Sequence, residues 1–186
     1  RMSNLTLIIE VGATIRTQAT TTFGGTVILS EGNAYGGSDL AQLTNVHVVN
    51  NGAIIAEGSD NPGDPTGPGF DNALSFGRMR IGSYDGTGRL EGDRYALTLQ
   101  INVDDFRIKN ALVDRARTAG IGILGTANSA VNFCSNIVLD YAVIDNVGLP
   151  TSITGKGLDI AHSSDVVVGQ VKVSNVTGRA LDIRGT

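Results

Sequence analysis

The chain has 186 residues, a net charge of -4 and no clustered Lys/Arg run, so a nucleic-acid partner, which needs concentrated positive charge, is not expected. Hydrophobic residues make up 41% but no apolar run approaches membrane-spanning length, and 4 Pro against 25 Gly argue against a disordered Pro/Gly chain. A single cysteine, Cys134, excludes an internal disulfide and reads as a buried thiol beside Phe133 rather than a nucleophile.

In chain order, Asn4 to Ile15 has a β pattern with a Gly break, and Ile8–Ile15 aligns with Val48–Ile55 at a step of 40 residues. A looser third copy is Gly86-Thr87-Gly88-Arg89-Leu90-Glu91-Gly92. Gly- and Asn-rich connectors separate them, Glu31 to Asp39 and the longer Gly58 to Asp71, which holds three of the four prolines and is expected to be an excursion. Later, Asp105-Phe-Arg-Ile-Lys-Asn, Asn136-Ile-Val-Leu-Asp-Tyr and Asp165-Val-Val-Val-Gly-Gln repeat one design. Alternation points Phe106, Ile108, Ala111 and Val113 inward, with Ile137, Leu139, Ala142, Ile144 and Val166, Val168, Val171, Val173 as stacked equivalents. An Asn or Asp opens each such strand (Asn45, Asp105, Asn136, Asp165), where its side chain can satisfy turn backbone.

A second phase is clearer. Gly157-Leu158-Asp159-Ile160 recurs as Ala180-Leu181-Asp182-Ile183, and the same phase appears as Ala73-Leu74-Ser75-Phe76, Ala96-Leu97-Thr98-Leu99 and Gly120-Ile121-Gly122-Ile123. The steps are 23, 24, 37 and 23 residues, and Thr26-Val27-Ile28-Leu29 lies 47 residues before Ala73. The 37-residue step implies about 14 extra residues in Leu124 to Ser135, Val147 to Lys156, or both. Period-2 alternation, β-branched residues and Gly punctuation exclude helices. A sandwich would not hold one side-chain phase every 23 residues. The expected fold is all-β: a right-handed parallel β-helix, a solenoid with about 23 residues per coil, three short strands per coil and about seven coils. Residues 1–186 are read as a single β-helix domain, a fragment of a longer chain.

On the Asn/Asp-Val-x-Val and Gly-Leu-Asp-Ile patterns, from about Asn4 to Arg184, the chain resembles the pectin-lyase-like right-handed parallel β-helix superfamily of polysaccharide lyases, hydrolases and tailspike-type depolymerases. The resemblance implies polysaccharide binding along a lateral groove, with carboxylates from neighbouring coils, in an extracellular or virion/cell-surface setting. The paired-Asp and Gly-His-Gly motifs of polygalacturonases and the Asp-Pro-His of alginate epimerases are absent. Arg107-Ile108-Lys109 spells a polygalacturonase tripeptide without its companions and is read as coincidence.

Leu and Ile of Leu-Asp-Ile point inward, so Asp159 and Asp182 are expected outward in one slot, about 5 Å apart in adjacent coils. Such carboxylates repel, raising one pKa, and can act as acid and base or nucleophile. They can also hold calcium, although none is required. His162, three residues beyond Asp159, and Arg184, two beyond Asp182, complete the candidate catalytic set Asp159, Asp182, His162 and Arg184. The competing reading is a solvated polar sheet face with His162 in a turn; His47 reads as a surface residue. Trp is absent and the Tyr residues (Tyr35, Tyr84, Tyr95, Tyr141) are scattered, which offers few sugar platforms.

Two functions compete: a lyase or glycoside hydrolase acting on an acidic glycan, and a non-catalytic structural or adhesive solenoid such as a tail-fibre shaft. Either can be a homo-oligomer, a trimer included, through faces or ends. An ice-binding solenoid is discounted because Thr20-Thr21-Thr22 has no recurring Thr-x-Thr ladder.

Overall fold

The computed structural model describes residues 4–18, 27–30, 43–57, 72–126, 133–148 and 154–185. The connectors Glu31–Asp39, with Tyr35, and Gly58–Asp71, together with Thr20-Thr21-Thr22, lie outside the described residues. Among the described residues there are thirteen β-strands and no helix, and every strand pairing is parallel. No helix there is long and apolar enough to cross a membrane.

The pairings form three ladders. The first joins β1 (Leu5–Ile9), β4 (Leu43–Asn50), the later part of β6 (Leu74–Asp85), the middle of β8 (Tyr95–Arg115), β10 (Ser135–Ile144) and β12 (Val166–Val173). The second joins β2 (Thr14–Gln18), β5 (Ala53–Glu57), β7 (Arg89–Glu91) and the end of β8, and continues in the bridges Ala116–Val147–Val176. The third joins β3 (Val27–Ser30), the starts of β6 and β8, β9 (Ala119–Leu124), β11 (Lys156–Ala161) and β13 (Arg179–Arg184).

The third ladder carries the phase read from the sequence, residue for residue. Val27, Leu74, Leu97, Ile121, Leu158 and Leu181 share one column; Leu29, Phe76, Leu99, Ile123, Ile160 and Ile183 share another. From Leu74 to Ile160 these columns are buried and face the inward residues of the first ladder. Phe76 and Phe106 meet across that interior with ring centroids 4.7 Å apart. Burying each such side chain contributes about 1.5–3 kcal/mol, so the stacked apolar columns are what hold successive strands of the ladders together. Cys134 belongs to this core, and burial pushes its thiol up to about 12.

Two expectations change. The strands are not uniformly short: β6 and β8 each run through a corner, where the register shifts by one residue at the left-handed Arg78, Ile101 and Asn102 before pairing resumes with Met79 opposite Val103. The bend is made instead by left-handed residues. Asn4, Asn45, Ile81, Asp105, Asn136 and Asp165 all have positive φ and occupy one column, each just before a first-ladder pairing. Asn and Asp tolerate that conformation, which explains why they open these strands.

The 40-residue alignment also shifts. Leu7 pairs with Val48 and Ile8 with Val49, but beyond the turn Thr14 pairs with Ala53. The turn from Glu10 to Ala13, with Gly12 left-handed at φ 82°, is longer than the Asn51-Gly52 turn, so register slips by one residue on each side. A one-residue slip exchanges faces. Between β6 and β7, Gly86-Thr87-Gly88 turns the chain; a Cβ on Gly86 or on Gly52 would run into the carbonyl oxygen of Asn50 or Ala13 respectively. Registers on both sides of the 37-residue step, Phe106 to Ile137 and Ala116 to Val147 to Lys156, place extra residues in both suspected segments.

Candidate functional site

Between the two apolar columns of the third ladder runs the opposite slot: Ser75, Thr98, Gly122, Asp159 and Asp182, all in register. It was expected to face solvent. Instead Ser75 is 1%, Thr98 0%, Asp159 1% and Asp182 6% exposed. The polar track is therefore covered, and its polar groups satisfy one another, as burial demands. Thr98 Oγ1 donates to Ser75 Oγ at 2.9 Å, and Gln100 Nε2 donates to the same oxygen at 2.7 Å. At Gly122 the Tyr95 ring lies where a side chain would be; a Cβ there would sit 3.1 Å from Tyr95 Cδ1. Arg94 stacks on that ring, 5.3 Å from its centroid. Burial, and then the negative charge of Asp159, raise the Tyr95 phenol above its ordinary value.

The aspartates are in register, as expected, but they do not confront each other as a repelling pair. Lys156 Nζ lies 3.0 Å from Asp159 Oδ2 and 2.7 Å from Asp182 Oδ2, bridging the two strands. Arg184 Nη2 donates to both Asp159 oxygens, at 2.8 and 3.0 Å, and its Nε is 3.5 Å from Asp182 Oδ2. Arg179 Nη1 reaches Asp182 Oδ1 at 2.6 Å. Three cations thus surround two carboxylates, leaving one net positive charge. Hydrogen bonds from Lys156 first, then Arg179, hold the Asp182 carboxyl below its ordinary 3.8, opposite to the shift that repulsion would give.

Of the four candidates, Asp159, Asp182 and Arg184 come together. His162 does not join them by any hydrogen bond found among the described residues. It occupies the corner after β11 at φ 48°, its backbone N–H donates to the Arg184 carbonyl at 3.4 Å, and its buried Nδ1 has no hydrogen-bond partner. Lys156 and Arg179 were missed. Their signal was present: each stands three residues before its Asp, and the two pair in register, so the repeated unit is a cation followed by small-Leu-Asp-Ile.

Among the described residues no group of three or more His, Cys, Asp or Glu side chains could hold a metal ion. Nor does the aspartate pair fit calcium, because a divalent ion there would face Lys156, Arg179 and Arg184 at contact distance.

No protein-family model matches the chain, and neither a curated protein nor a solved structure matches it.

Proposed function

We propose that the chain is a stretch of right-handed parallel β-helix, of the pectin-lyase-like kind, that binds an acidic polysaccharide over the Asp159–Asp182 cluster. The observation that carries this reading is the cluster's charge and its edge. Three cations meet two carboxylates, and the excess charge is presented by Arg179 and Arg184, whose side chains are 68% and 50% exposed. A planar guanidinium offers paired donors that match a uronate carboxylate. Such a partner belongs to an extracellular, virion or cell-surface setting.

Cleavage of the bound glycan, by lyase or hydrolase chemistry, is the further step of this reading. Two-carboxylate hydrolysis needs one carboxyl to carry a proton. The cations around Asp182 hold its carboxyl below its ordinary value, which disfavours Asp182 as that proton-carrying acid.

The second reading, a non-catalytic structural or adhesive shaft, draws on exposed apolar residues of β12 and β13. Val168, Leu181 and Ile183 are 40%, 52% and 65% exposed although their in-column neighbours Leu139, Leu158 and Ile160 are buried. Association through these residues would give the homo-oligomer expected of a shaft.

Affinity electrophoresis through polygalacturonate, alginate and a neutral glucan separates the readings, with reducing-end and unsaturated-uronate assays on the same mixtures. Retardation by an acidic polymer, weakened by salt and by Arg179→Gln, supports binding. New reducing ends without unsaturation mean a hydrolase, and unsaturated products a lyase. Equal mobility in all three polymers, with no product, overturns the glycan reading and leaves the shaft.

A further inference from the structure

The outward face of the first ladder holds a separate constellation. In one column Thr6, His47, Ser83 and Arg107 follow each other on successive strands. His47 Nδ1 lies 2.8 Å from Ser83 Oγ, and its Nε2 lies 2.7 Å from Asn45 Oδ1. Asn45 Nδ2 in turn donates to Asn4 Oδ1 at 2.8 Å. That bond orients the Asn45 amide with its oxygen toward the ring. An amide oxygen only accepts, so Nε2 carries a proton, and in the neutral ring the Nδ1 lone pair then accepts the Ser83 hydroxyl. Asn45 is itself fixed in the left-handed corner column at φ 58°, while His47 and Ser83 stand on paired strands and are partly exposed. A hydroxyl on a neutral imidazole, with the imidazole aligned by a third group, is the geometry of an activated nucleophile.

We propose that Ser83 and His47 are nucleophile and general base, with Asn45 as positioning residue, for hydrolysis of a small acyl ester. Ser83 Oγ attacks the ester carbonyl carbon as its proton passes to His47 Nδ1. The adduct collapses with cleavage of the bond to the alcohol oxygen, which leaves with the proton from His47. Water then attacks the acyl-serine, giving a proton to His47, and the acid departs as Ser83 recovers it. Ester and water become acid and alcohol with no other reactant. The guanidinium of Arg107, in register with Ser83 and held by Asp140 at 2.6 and 3.1 Å, is the neighbouring cation for the developing oxyanion. The flat outer face of a ladder suits a short acyl group such as acetyl rather than a long chain. This site is independent of the glycan-binding reading.

The test uses the full chain with a fluorophosphonate and, separately, 4-nitrophenyl acetate, read by intact mass, peptide mapping and nitrophenolate release. The expected results are one fluorophosphonate adduct on Ser83 and a loss of turnover of about 100-fold or more in Ser83→Ala and His47→Gln. Asn45→Gly keeps the left-handed corner but removes the acceptor, and slows turnover; Asn45→Asp, which also accepts and tolerates that backbone, restores it. Circular dichroism and unfolding curves matching the parent establish that these variants fold. No adduct on Ser83, turnover retained in Ser83→Ala, or Asn45→Asp no faster than Asn45→Gly overturns the proposal.

Discussion

At Ile81, as at Ile101, side chain and backbone disagree. Ile81 takes the left-handed conformation, φ 62°, in a column otherwise made of Asn and Asp, and it is 45% exposed. A β-branched side chain there costs about 1–2 kcal/mol, while its half-exposed surface returns only part of a buried isoleucine's contribution. Ile81→Asn is therefore expected to stabilise the fold by about 1 kcal/mol in denaturant unfolding; destabilisation would mean that Ile81 packs better than its exposure indicates. Asn50 is the converse case. It is fully buried, its Oδ1 accepts the Gly52 N–H at 3.2 Å and its Nδ2 donates to the Tyr84 hydroxyl at 3.1 Å. Asn50→Leu leaves both partners unsatisfied and should cost about 2–4 kcal/mol. The Asn/Asp corner positions were legible because a polar residue before a β run has a turn-based reason to be there. Ile81 was not, since nothing in an isoleucine signals positive φ.

At the scale of the element, β11 and β13 are held by the ion cluster as well as by Leu158 and Ile160. Asp159→Ala removes one of the two acceptors that Lys156 and Arg184 share, leaving Asp182, and should cost about 2–3 kcal/mol, because Arg184 is half exposed and rehydrates. Acid should act in the same place. Because the folded state lowers the Asp182 pKa, its contribution is present above the ordinary 3.8 and is lost as pH falls through the lower folded-state value. The stability difference between the parent and Asp182→Asn, followed by urea unfolding across that range, should shrink as pH falls; a difference that grows would reverse the sign. The slot itself was readable from alternation, which fixes which residues share a face. Its burial was not readable, because alternation says nothing about what covers the outer face. Here Tyr95 reaches over Gly122 from the first position of its own strand.

Across the whole molecule, packing weakens toward β13. Ile123, Ile160 and Ile183 share a column but are 0%, 6% and 65% exposed. Ile123→Ala should cost about 2–5 kcal/mol, whereas Ile183→Ala should cost under about 1 kcal/mol, and equal losses would show that the last strand is covered in solution. The parallel ladders were legible because one phase recurs along the chain. The contact between His47 and Ser83 was not, as 36 residues separate them and the step between their strands departs from the 23-residue period. Likewise the one-residue slips around Glu10–Ala13 depend on turn length, which a repeat alignment averages away.

The central claim is that cations hold Asp159 and Asp182 as a charged binding element rather than as an acid and base sharing a proton. Carboxyl 13C NMR of selectively labelled aspartate, with Asp182→Asn to assign the resonance, tests it most directly. The Asp182 carboxyl should titrate below 3.8. A midpoint above that value would contradict the account and return the pair to acid–base chemistry.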